Sequence, residues 1–126
     1  MSGLTIDTLS MRFDLPDGGS VQALKDVTLQ IKQGELLSVL GPSGCGKTTL
    51  LNIIAGFLAP TGGSVELNGK QVAEPSAERG MVFQQGALFE WMSVRENVSF
   101  GPRMKGTNAK ETTRRVDDVL DIVGLA

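Results

Sequence analysis

Val27, Leu29 and Ile31 alternate with Thr28 and Gln30, the period-two pattern of a strand with one buried face. Residues 4–13 read as a partner strand, and Asp17-Gly18-Gly19-Ser20 marks the turn between the two. Lys32-Gln33-Gly34 turns the chain again. Leu36-Leu37-Ser38-Val39-Leu40 then forms a nearly continuous apolar run, as expected of a central parallel strand covered on both faces. From Lys47 the period lengthens. Leu50, Ile53 and Ile54 fall at i, i+3 and i+4, which predicts a short helix stopping near Gly56 and before Pro60. Asn68-Gly69-Lys70 between residues 64–67 and 71–72 predicts a hairpin with the favoured Asn-Gly turn. Gly80-Met81-Val82-Phe83 reads as one more core strand. The remainder is helical in character: Val116, Val119, Leu120 and Val123 share a stripe, Arg114 and Asp118 form an i,i+4 ion pair, and Gly124 is a stop.

Composition narrows the class. A chain of 126 residues with 40% hydrophobic side chains can build one core. Net charge is −2 and no stretch concentrates Lys and Arg, which argues against a nucleic-acid partner. The single cysteine, Cys45, allows no internal disulfide and fits a reducing compartment. The first residues lack a basic segment followed by an apolar one. The longest apolar stretch, residues 50–59, is too short to span a bilayer and is broken by Asn52. A soluble, cytoplasmic chain is expected. The absence of histidine removes the commonest general base.

The chemistry lies between strand and helix. Gly41-Pro42-Ser43-Gly44-Cys45-Gly46-Lys47-Thr48 satisfies G-x-x-x-x-G-K-[ST] at every fixed position. Glycines let the backbone curl so that N–H groups from Gly44 to Thr48 can face phosphate oxygens. The following helix adds unpaired donors and the positive end of its dipole. Lys47 can reach the β and γ phosphates, and the Thr48 hydroxyl can ligate Mg²⁺. The candidate nucleotide-contacting set is Gly41, Ser43, Gly44, Cys45, Gly46, Lys47, Thr48 and Thr49. Cys45, set among N–H groups at a helix start, is expected to react readily with thiol reagents and to be shielded by bound nucleotide.

The stretch "LGPSGCGKTTLLNIIAG" (residues 40–56) resembles the Walker A region of ABC-transporter ATPase subunits. "KQGELLSVLGPSG" before it and "TGGSVELNGK" after it have the same family's cadence, and "AERGMVFQQGALFEWMSVRENVSFG" (77–101) is similar to importers of the nitrate, sulfonate and taurine type. The resemblance implies an α/β fold: a P-loop NTPase of the ABC-ATPase type with an N-terminal antiparallel β subdomain, RecA-like core strands and an incomplete helical subdomain. It implies one partial nucleotide-binding domain over 1–126, with the β subdomain and Walker A core in 1–84 and the Q-loop and start of the helical subdomain in 85–126.

It also implies roles. Gln84 would be the Q-loop glutamine, near Mg²⁺ and the attacking water; a carboxamide can ligate a cation without repelling phosphate. With Lys47, Gln84 completes the candidate catalytic set, and with Thr48 the candidate metal ligands. Phe13 is similar to the aromatic that stacks on adenine. Leu88, Phe89, Trp91 and Met92 correspond to the surface that receives a permease helix, and exposed aromatic and methionine side chains suit such docking. The implied cofactors are ATP and Mg²⁺. The implied partners are a second ATPase subunit, as a homodimer, and a transmembrane permease, which would hold the protein on the inner face of the cell membrane.

Three family elements are missing from these 126 residues: an LSGGQ-type signature, a Walker B aspartate with its glutamate, and a switch histidine. Val119-Leu120-Asp121 keeps helical period and is not Walker B. The chain therefore reads as the N-terminal half of an importer ATPase, expected alone to bind nucleotide weakly, to turn it over negligibly and to dissolve poorly. The rival readings are an ATPase of a non-transport ABC protein, a truncated non-catalytic nucleotide-binding module, and a small-molecule kinase.

Overall fold

The structure is a computed structural model that describes residues 3–126. It divides after Met81 into two compact units.

The first unit is organised by an irregularity in its sequence pattern. Ile6, Leu9 and Met11 are all buried, yet Ile6 and Leu9 stand three residues apart and would face opposite sides of a regular strand. Strand β1 (Gly3–Asp14) solves this with a bulge: its register against β2 (Ser20–Lys32) slips between Ile6 and Leu9, and Thr8 takes φ 44°. β2 has the matching irregularity. Leu24 and Val27 both turn toward the core, and Asp26 between them takes φ 47°. Side chains satisfy the backbone groups freed at the bulge. Thr8 N donates to Thr28 Oγ1 at 3.0 Å and Asp26 N to Ser10 Oγ at 2.9 Å.

β3 (Gly62–Leu67) pairs with the other edge of β1, setting Val65 opposite Ile6. β4 (Lys70–Gln71) closes the expected hairpin, with Asn68 at φ 52° and Gly69 at φ 79° as in a type I′ turn. The sheet order is β2-β1-β3-β4, antiparallel throughout. Helix α1 (Lys47–Ala55) lays Leu50 and Ile53 on the face formed by Ile6, Leu9, Met11, Leu24 and Val65. Each such side chain contributes about 1.5–3 kcal/mol by leaving water. Gly56, at φ 88°, ends the helix where expected.

Two expectations need correction. Residues 36–40 and 80–83, read as core strands, join no ladder among the described residues. Leu36 is 93% exposed, Leu40 90% and Val82 98%. A parallel strand cannot fold on its own hairpin; it needs neighbours brought in by crossovers, and no described strand flanks these segments. The apolar pattern is present without its partners.

The second unit, Val82–Ala126, is a helix pair. α2 (Val94–Met104) opens with a capping box: Ser93 Oγ accepts from Glu96 N at 3.2 Å and Glu96 Oε2 accepts from Ser93 N at 2.7 Å. α3 (Ala109–Ile122) is capped by Asn108, whose Oδ1 accepts from Glu111 N at 2.9 Å. Ser99, Thr112, Val116 and Leu120 are buried. Val119 and Val123, expected on the same stripe, are 43% and 58% exposed. Thr112, Val116 and Leu120 form a single i,i+4 line, narrower than the stripe the sequence suggests.

Arg114 pairs with Asp118 at 2.9 Å, as expected, and with Arg115 it also grips Glu111, at 2.8 and 2.6 Å. Hydrogen bonds from Arg114, then Arg115, hold the Glu111 carboxyl at about 2, well below its ordinary 4.5. A depressed carboxylate supports the folded helix above its ordinary pKa and loses that support on acidification. Far-UV circular dichroism is expected to show α3 losing helicity between about pH 4.5 and pH 2. Glu111→Gln should flatten this transition, and salt should weaken it because the groups are exposed. An unchanged acid profile in the variant would exclude the network as its cause.

Candidate phosphate-binding site

The loop ahead of α1 is shaped by glycines at two left-handed positions, Gly44 at φ 83° and Gly46 at φ 98°. Gly46 is also the N-cap of α1, which has no side-chain cap. The first helical hydrogen bond runs from Leu50 N to Gly46 O at 2.9 Å. Among the described residues, the N–H groups of Lys47, Thr48 and Thr49 therefore meet no acceptor. These donors and the helix dipole converge on one spot that favours an anion.

Strand β2 fixes that spot. A Cβ at Gly46 would strike the carbonyl oxygen of Ala23 and come within 3.0 Å of the Leu24 side chain. The loop thus sits directly on β2. The motif pattern marks Gly46 for its flexibility, but the contact with Ala23 has no local signal in the sequence.

Lys47 folds back over the loop. Its Nζ donates to Pro42 O at 2.8 Å and to Gly41 O, and lies 3.5 Å from Cys45 Sγ. A Cβ at Gly41 would come within 2.7 Å of Cys45 Sγ, so only glycine there leaves this arrangement undisturbed. Cys45 and Ser43 are exposed. Thr48 is also exposed and Thr49 half-buried. The described residues hold no group of three or more His, Cys, Asp or Glu able to bind a metal. The Thr48 hydroxyl is nevertheless a hard oxygen donor, suited to Mg²⁺, which takes few protein ligands when phosphates and water supply the rest.

The remaining candidates lie apart in the chain. Phe13 is 37% exposed near the end of β1, opposite Val21. Gln84 belongs to the second unit, exposed in a bend without regular structure. In the aromatic segment beyond it, Leu88 is 74% and Trp91 78% exposed, whereas Phe89 and Met92 are half-buried. The Phe89 ring centroid lies 5.4 Å from that of Trp91 and 4.7 Å from that of Phe100. Asn97, which the sequence pattern did not single out, holds this segment. Its side chain accepts from Phe89 N at 2.8 Å and donates to the carbonyls of Phe89, Met92 and Ser93 at 3.1, 3.1 and 2.9 Å.

A family model described as ABC transporter matches residues 24–126. The chain belongs to that family, and its fold is of the ABC-ATPase class. Among individual proteins, it is 74% identical over 125 residues to the Taurine import ATP-binding protein TauB of Jannaschia sp. (strain CCS1), covering 99% of this chain and 47% of that protein. The Nitrate import ATP-binding protein NrtC of Synechococcus elongatus is 44% identical over 124 residues, which are 97% of this chain and 19% of that protein. A solved dimeric ATP-binding cassette, MJ0796, in a post-hydrolysis state bound to ADP and Pi, superposes with a TM-score of 0.83 at 29% identity, over 98% of this chain and 58% of that one. The chain spans about half the length of the TauB proteins it matches.

Proposed function

We propose that this chain carries the ATP-gripping part of the ATP-binding subunit of an ABC importer, which couples Mg·ATP binding and hydrolysis to uptake of a small taurine- or nitrate-like solute through a membrane permease. The observation that supports this most is the uncapped start of α1 under Gly46, with Lys47 turned over the loop. In this reading the N–H groups of Gly44, Gly46, Lys47, Thr48 and Thr49 bind phosphate oxygens, with Gly41, Ser43 and Cys45, whose own N–H donates to Pro42 O at 3.3 Å, shaping the cradle. Lys47 exchanges its weak thiol acceptor for phosphate oxygens while keeping its two carbonyls. Phe13 offers its exposed ring to adenine.

A bound Mg²⁺ would supply charge neutralisation at the phosphates; the Thr48 hydroxyl would be one oxygen donor for it and the Gln84 carboxamide, by family likeness, another. Gln84 also positions the attacking water. Residues 1–84 are assigned as β subdomain and Walker A core and 85–126 as Q-loop and start of the helical subdomain, although the compact units part slightly earlier, after Met81. A second ATPase subunit completes the cycle, with the protein held peripherally at the inner membrane face. No helix among the described residues is long and apolar enough to cross a membrane itself.

The importer reading is tested at Trp91. A photo-crosslinking amino acid in place of Trp91 is expected to capture the integral membrane subunit, whereas the same group at the exposed Lys110 on α3 should not. No capture from Trp91 would count against permease docking and leave a non-transport ATPase as the better reading; equal capture from both positions would instead remove Trp91 as the docking point.

A further inference from the structure

The face of the sheet turned away from the core carries a second feature. Ser10, Arg12 and Asp14 alternate with Leu9, Met11 and Phe13 along β1, so they stand on the side opposite α1. With Gln22, Lys25 and Asp26 of β2 they line a concavity of about 410 Å³. Two cations, Arg12 and Lys25, and two anions, Asp14 and Asp26, share its walls. None of the four forms an ion pair among the described residues. Neutral partners hold two of them: Arg12 Nη2 donates to Gln22 Oε1 at 3.2 Å, and Ser10 Oγ donates to Asp26 Oδ1 at 3.3 Å. Each keeps free capacity, with guanidinium N–H groups on Arg12 and the second carboxylate oxygen on Asp26.

We propose that this concavity binds a small zwitterion, an aliphatic amino-sulfonate, whose oxoanion meets Arg12 and Lys25 and whose ammonium meets Asp14 and Asp26. A simple anion would satisfy the cations and be repelled by the carboxylates; a simple cation would face the reverse conflict. A molecule carrying both charges satisfies both sets. The choice of sulfonate rests on the importer reading above, because such a solute would accumulate as the system runs. An exposed, salt-screened site binds it weakly, which suits a sensor of accumulated solute more than a carrier.

Titration of isotope-labelled protein with taurine, followed by amide NMR shifts, tests this. Saturable shifts in residues 10–14 and 22–26 in the millimolar range are expected. Arg12→Gln and Asp14→Asn should each weaken the response about tenfold, the loss of one charge-assisted contact. Methanesulfonate, which lacks the ammonium, should bind weaker by a similar factor. No saturation at these residues, or saturation indifferent to both substitutions, overturns the proposal. Mg·ATP binding is measured on the same samples: ATP binding without a taurine response refutes the zwitterion site alone, and a taurine response without ATP binding refutes the nucleotide reading alone.

Discussion

Lys47→Ala is expected to lower Mg·ATP affinity about a hundredfold, measured by equilibrium binding of a fluorescent ATP analogue. Lys47 is the single cationic side chain of residues 41–49, whose other donors are neutral backbone N–H and hydroxyl groups. Contacts of an ammonium with phosphate oxygens are charge-assisted, each about 1.5–3 kcal/mol, and tenfold in affinity corresponds to about 1.4 kcal/mol. The substitution has a second effect. It leaves the Gly41 and Pro42 carbonyls without the donor they now share, so the loop loses an internal tie as well as a ligand contact. Lys47→Arg separates the two. It keeps the charge but presents a planar fork in place of a compact point, and only partial recovery is expected. Unchanged affinity in Lys47→Ala would remove the phosphate loop from the binding site.

Gly46→Ala is expected to destabilise the first unit by about 3 kcal/mol in urea unfolding and to abolish nucleotide binding with it. A left-handed backbone costs an alanine roughly 1–2 kcal/mol. The added methyl would also strike Ala23 of β2, and forcing extra volume into a packed contact costs about 1–3 kcal/mol. Gly44→Ala is the control. At φ 83° it carries the same kind of strain, but nothing lies within 4 Å of the new atom, so only the smaller loss of about 1–2 kcal/mol is expected. Equal destabilisation by both variants would show that β2 does not support the loop.

The contrast between these glycines also shows what the sequence could and could not reveal. Elements closed by short-range signals were legible: the β1–β2 hairpin from alternation and Asp17-Gly18-Gly19, the β3–β4 turn from Asn68-Gly69, and α1 from Leu50 and Ile53 ending at Gly56. The glycine turn ahead of α1 was legible too, because the left-handed backbone at Gly44 and Gly46 demands glycine. The paired bulges at Thr8 and Asp26 were not, since they exist only where two strands meet out of step. Residues 36–40 had the composition of a core strand, but a parallel ladder depends on distant neighbours. The capping box at Ser93 and Glu96 carries its own local signal, S-x-x-E at the start of α2. The adenine role of Phe13 and the metal role of Gln84 rest on family likeness; no local spacing specifies either.

Asn97 has a mechanical meaning. Its four hydrogen bonds clamp residues 89–93 to the first turn of α2, and Arg95 of that helix is tied to Asp117 of α3 at 2.7 Å. Trp91 therefore projects from a segment held on both sides, at Phe89 and at Met92 and Ser93, by one side chain of α2. A force on its ring is expected to reach α2 through Asn97, and Asn97→Ala should loosen residues 89–93 without unfolding the helix.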